Sequence, residues 1–300
     1  MASQAHPQLR ALVAKELSLP VDPRVSGVAA AIAARHKEAS RAVLFYGSCL
    51  RDNELEERML DFYLVVSDYR SAYRRRWLAV ANRMVPPNVF YFEHDGLRSK
   101  YAVLSEADFA RECSPGAWTV STAARFAQPS RLVWSKDRTA AAEVAESAAH
   151  AAPTLIRWTL PLDPTAKPAE LWERIFSLTF NAELRAERLG RAAALVEADP
   201  ARYQRLTRAS LEEIGFLSIG GSGQASAERW WRKMQKWGKI YSVLRLVKAS
   251  LTFAGGAEYI AWKINRHAGT DIRLTPWQQN HPLLAAIILL PRLLRSGAVR

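Results

Sequence analysis

The 300-residue chain is 49% hydrophobic and 24% charged and carries a formal net charge of +13. This is an ordinary globular composition with room for a sizeable core and about two domains. Cys49 and Cys113 stand far apart with no paired spacing, which speaks against a zinc site or disulfide framework and fits a reducing compartment. No run of 18 or more apolar residues occurs and the N-terminus has no signal-peptide core, so neither a bilayer-spanning helix nor a cleaved leader is expected.

In chain order, residues from Leu9 to Leu17 have helical character. Asp22-Pro23 then reads as an N-cap with Pro at the first helical position, opening an Ala-rich helix through Arg35. Val43–Tyr46 and Leu60–Val66 read as strands, joined through Gly47, Ser48 and a charged connection. A strand ending in Gly-Ser offers backbone N–H groups to an approaching phosphate. A second strand opening on Asp61 can hold Mg²⁺ beside it, because Mg²⁺ takes hard oxygen ligands. Two residues on, on the same strand face, stands Tyr63, where a paired site would place a second carboxylate. Cys49 has no identifiable base and reads as structural.

A helix is expected over Tyr69–Arg83, with Tyr73, Trp77 and Val80 on one side and Arg70, Arg74, Arg75 and Arg76 crowding it. That basic run is either a solvated face or part of a field for an anionic substrate. Asn88–Glu93, Lys100–Leu104 and Arg131–Trp134 read as strands, Asp108–Cys113 and Val120–Ala127 as helices. Residues 1–138 therefore form one α/β unit around a single sheet, and the expected class is α+β. From 139 to 215 the pattern is helical: Thr139–Ala152, a Pro-punctuated joint, then Pro168–Glu187, Gly190–Glu197 and Ala201–Ile214. This gives a helical, winged-helix-like second domain. The Gly-rich stretch Gly215–Ser226 reads as a linker.

The last region, 227–300, is basic. From Ser226 onward, 13 Lys and Arg face only Glu228, Glu258 and Asp271, which points to an anionic partner. Over Ala227–Leu251 one helix face carries Trp230, Met234, Trp237, Tyr241 and Leu244 among many cations. Trp230, Trp231, Lys233, Lys236, Trp237 and Lys239 are the expected contacts with an anionic membrane surface. The alternative is that the stripe packs on the protein's own core. Leu283–Leu290 is a second short apolar segment, either dipping into a leaflet or completing a core.

Several segments together resemble a known family. Phe45-Tyr46-Gly47-Ser48, Met59-Leu60-Asp61-Phe62, Lys100-Tyr101-Ala102-Val103, the segment holding Arg125 and Pro129, and Phe180-Asn181-Ala182-Glu183-Leu184-Arg185 occur in the order found in mitochondrial-type CDP-diacylglycerol synthases. These are phosphatidate cytidylyltransferases of the translocator assembly and maintenance type, with bacterial relatives. Ala102, Ala124 and Glu183 depart from the family's Gly, Gly and Asp. The resemblance implies a nucleotidyltransferase fold, CTP and phosphatidic acid as substrates, Mg²⁺ as cofactor and peripheral attachment to the cytoplasmic face of the inner membrane, with no nucleic-acid partner. It implies that Gly47, Ser48 and Arg125 bind the nucleotide and that Asp61 holds metal. Lys100 would neutralise phosphate charge, Glu183 would be the missing second carboxylate, and Arg185 would hold the lipid phosphate. Two other readings remain: a nucleotidyltransferase with a soluble acceptor, and a membrane-binding relative that lost chemistry with the second carboxylate. Base selectivity and oligomeric state are not legible.

Overall fold

The computed structural model describes residues 7–52, 54–56, 58–183, 190–215, 223–252 and 275. The helices are α1 (Pro7–Leu17), α2 (Pro23–His36), α3 (Ser48–Asp52), α4 (Tyr69–Ala72), α5 (Arg76–Met84), α6 (Glu106–Cys113), α7 (Ser121–Phe126), α8 (Arg138–Ala149), α9 (Ala151–Thr159), α10 (Pro168–Ala182), α11 (Arg191–Glu197), α12 (Pro200–Ile214) and α13 (Gln224–Thr252). The strands are β1 (Ser40–Tyr46), β2 (Met59–Val66), β3 (Asn88–His94), β4 (Leu97–Ser105) and β5 (Ser130–Ser135), in the order β3-β4-β2-β1-β5. β2 and β4 run parallel and the other neighbours antiparallel, so the sheet is mixed and the class is α+β.

Alternation along the strands separates two cores. Val43, Phe45, Leu60, Phe62, Leu64, Val66, Tyr101 and Val103 face α2, whose Val25, Val28, Ala29 and Ile32 are buried against them. As expected, Asp22 caps this helix, accepting from the Arg24 amide at 2.8 Å. Ala42, Leu44, Tyr63, Val65, Ala102 and Leu104 face the other way, into a cluster continuous with α1, α6–α10 and α12. Asp61 shares this second face, so the helices after residue 138 overlie it. Arg202 on α12 ties the layer together: it pairs with Glu16 of α1 at 2.5 Å and donates to the Ala127 carbonyl at 2.9 Å.

The structure departs from the sequence pattern in two places. The helix expected over Tyr69–Arg83 breaks at Tyr73, which turns extended to bury its ring; its hydroxyl accepts from Asn82 at 3.1 Å. Tertiary packing overrides the helical period there. The joint expected after residue 152 is largely helical, because Pro153 sits in the first turn of α9, where it costs no hydrogen bond. Finally, the described residues of 139–215 form helices and no strand.

α13 divides the expected aromatic stripe, and with it the expected membrane contacts: Met234 is buried while Trp237 and Leu244 are exposed. Its buried side is Ala227, Trp231, Met234, Gly238 and Lys248, with Arg245 half-buried among them, a heptad-like row offset from the expected one. Trp231 is buried and donates to the Trp158 carbonyl at 3.0 Å, and Trp230 stacks on Trp158 with centroids 5.3 Å apart. Trp231 is thus held in the protein's own core rather than at a surface, while Trp230 is half-buried. Lys233, Lys236, Trp237 and Lys239 are exposed. Among the described residues no helix is long and apolar enough to cross a membrane. Leu283–Leu290 lies outside the described residues.

Candidate active site

β1 ends at Tyr46, and Gly47 turns the chain with φ +96° into α3. A side chain is excluded there twice. The backbone is left-handed, which disfavours any Cβ, and a Cβ would lie 3.0 Å from Asp61 Oδ2. Asp61 stands opposite Tyr46 on one side and Lys100 on the other. The parallel β2–β4 register brings Lys100 Nζ to 3.1 Å from Asp61 Oδ1. Strand, turn, carboxylate and lysine thus meet on the three central strands of the sheet, β1, β2 and β4.

They open into a cleft of about 290 Å³ whose walls include Gly47, Ser48, Asp61, Lys100, Arg125 and Phe180. Arg51, Gln128, Arg191 and Arg245 complete it. Five cations and one carboxylate therefore line the same space. Arg51 donates to Gln128 Oε1 at 3.4 Å. Burial pulls its pKa down, and the charge of Arg191 pulls in the same direction. Burial also lowers Arg245, which donates to the Pro86 carbonyl at 2.7 Å, to Ser121 at 3.2 Å and to Thr119 at 3.3 Å. One turn on, burial and then Arg245 push the Lys248 ammonium down to about 7. Its Nζ donates to the carbonyls of Val85 and Pro87.

Glu183 is placed differently from the expectation that it completes a metal site with Asp61. Its Oε1 accepts from Ser121 at 2.5 Å and pairs with Arg125 at 3.0 Å. Burial opposes the Arg125 charge, but Glu183, Tyr63 and Tyr46 together hold its pKa well above the ordinary value. Glu183 therefore positions Arg125 at the cleft wall. The Tyr63 ring is buried, packing 5.3 Å from Tyr46 and 5.2 Å from Phe126. Among the described residues no group of three His, Cys, Asp or Glu assembles to hold a metal. The bare Cα of Gly47 leaves a cradle beside Asp61 Oδ2. One carboxylate plus substrate phosphates is a common Mg²⁺ environment, so these residues fit a single Mg²⁺ shared with a phosphate. They do not fit a carboxylate-bridged pair. Arg185 lies outside the described residues.

Cys49 is buried, with its pKa raised first by burial, and it is structural as read. The sequence reading missed Arg51, Arg191 and Arg245. Arg51 falls one turn after Ser48, a usable signal, but the other two look like any surface cation.

No protein-family model matches the sequence, and no curated protein matches it. Among solved structures the chain is similar to a nucleotidyltransferase-like protein from Exiguobacterium sibiricum 255-15. The two are 11% identical with a TM-score of 0.29, over 91% of this chain and 92% of that one. At that level of likeness the chemistry rests on the residues themselves.

Proposed function

We propose that the cleft binds a nucleoside triphosphate and that the protein transfers its nucleotidyl group to a lipid phosphate. Specifically, CTP and phosphatidic acid give CDP-diacylglycerol and pyrophosphate at the membrane face. The observation that carries the reading is one carboxylate among five cations around a glycine turn, a field suited to a polyanion. CTP and phosphatidic acid come from the sequence resemblance.

In this reaction a phosphate oxygen of the lipid attacks the α-phosphorus, and the bond to the β-phosphate breaks. A phosphate monoester has its second pKa near about 6 and is largely dianionic at neutral pH, so no general base is needed. The protein's work is positioning and charge compensation. Gly47 and Ser48 admit the triphosphate. Lys100, Arg51, Arg191, Arg125 and Arg245, which line the same cleft, offset the charge of the two substrates' phosphates. Asp61 is the residue that would hold Mg²⁺, which when bound neutralises charge on the departing pyrophosphate.

The test is CTP-dependent formation of CDP-diacylglycerol by purified protein, with Asp61→Asn beside it. Activity that drops by about a hundredfold or more in the variant, with the fold intact, supports the assignment; an equally active variant removes it. A non-catalytic relative is the second reading, favoured by the buried Tyr63 where a paired site has an acid. It expects neither turnover nor Mg²⁺-dependent stabilisation by CTP.

A further inference from the structure

α5 is amphipathic in an inverted sense. Its buried face is small and polar, with Ala79 and Asn82. The apolar side chains at 77, 80 and 84, spaced along one face, point outward instead: Trp77 is 42% exposed, Val80 57% and Met84 67%. Between Asp68 and Glu93 the chain carries five arginines and no acid, and Arg70, Arg74, Arg75, Arg76 and Arg83 are all exposed. The stripe borders a hollow of about 780 Å³ whose walls include Arg70, Val80, Arg83, Arg111 and Trp118 together with Asp68 and Asp108.

This face runs on into α13. Trp118 meets Tyr241 with centroids 6.3 Å apart, and Tyr241 meets Trp237 at 6.4 Å. Trp237, Ile240, Val243 and Leu244 are exposed. Arg245 and Lys248 bind the Val85-Pro86-Pro87 turn that ends α5, and Pro87 and Arg245 also line the cleft. The two exposed apolar rows thus lie on neighbouring elements, and the turn where those elements meet also borders the cleft.

We infer that α5, with the exposed row of α13, is the surface on which an anionic bilayer docks. Its Trp, Val and Met side chains enter the headgroup layer and its arginines pair with lipid phosphates. The apolar centre argues for lipid: a polynucleotide site needs cations but gains nothing from exposed Val and Met. The inference rests on the proposed lipid acceptor only for its direction, since docking beside the cleft would present that acceptor to the cations that line it.

The test uses the full-length protein and flotation with phosphatidylcholine vesicles, with or without phosphatidylglycerol, a lipid outside the proposed reaction. Binding is expected only with phosphatidylglycerol. It should weaken by roughly tenfold or more in two triple variants, Trp77→Glu/Val80→Glu/Met84→Glu and Arg74→Ala/Arg75→Ala/Arg76→Ala, both of which keep the wild-type melting temperature and CTP response. Unchanged binding by either triple overturns the inference, as does equal binding to neutral vesicles. So does a wild-type dimer that the first triple dissolves, or oligonucleotide binding that only the arginine triple abolishes. If vesicles bind as expected but CTP gives no response, docking stands and the catalytic reading falls.

Discussion

Replacing Gly238 by alanine probes how α13 is seated. In an isolated helix this change is favourable by about 1 kcal/mol, because glycine carries the larger backbone entropy. Here a Cβ at 238 would overlap the carbonyl oxygen of Ala182, with the carbonyl carbon at 3.2 Å and the Ala182 Cβ at 3.5 Å. The obstacle is backbone at the end of α10 and cannot rotate aside. Relief requires α13 to move off α10, loosening the buried Trp231 and Met234 and withdrawing Arg245, two turns further along the same face. Overpacking of this kind costs about 1–3 kcal/mol. A fixed backbone atom places this case near the upper end, leaving a net loss of about 2 kcal/mol after the propensity gain. Urea unfolding of both proteins measures it as a lower midpoint with an unchanged slope. CTP affinity should fall in parallel, since Arg245 lines the cleft. A Gly238→Ala protein more stable than wild type would mean that α13 does not sit on Ala182, and the placement of Arg245 would go with it.

Gly47→Ala should lose about 1–2 kcal/mol from the left-handed backbone alone, plus CTP binding through crowding of Asp61 Oδ2; thermal shifts with and without CTP separate the two, and an unaffected CTP response would refute the cradle. Glu183→Ala leaves Arg125 buried without its carboxylate and should cost about 3 kcal/mol. Adding Arg125→Met should restore much of the loss, and a single variant within about 0.5 kcal/mol of wild type would show the pair to be idle. Burial, against the Ala72 carbonyl bond and with Arg35 beside it, holds His36 below its ordinary 6.5. As pH falls through that value the unfolded chain protonates first, so stability should decline from there toward the lower folded pKa. His36→Gln should flatten that decline in chemical denaturation between pH 7 and 5, and an identical slope in the variant would contradict the assignment.

Period-two alternation made β1 and β2 legible, and with them the placement of Asp61 on the same face as Tyr63. The Asp61–Lys100 contact was not legible as geometry, because β2 pairs with β4 and skips β3; nothing in either strand announces that crossover. The helix of α13 was legible, but its buried row is offset from the expected aromatic stripe, because an amphipathic period does not say which face is covered. A finer reading had a clue in Ala227 and Gly238, small residues on the Trp231–Met234 row, where helices approach closely. Glu183 was singled out by resemblance, yet its partner lies 58 residues earlier, and only packing brings Arg125 to it. The break at Tyr73 has the same origin: the local sequence favours one helix, and burial of a ring decides otherwise.

Arg245 has a consequence for the order in which the protein comes into being. The glycine turn, Asp61 and Lys100 are made early, and the sheet that holds them needs only β5 to finish. One wall of their cleft waits for α13, which follows β5 and all the helices between. A nascent chain can therefore complete its sheet well before it can close its cleft, which is finished only when α13 has emerged and docked.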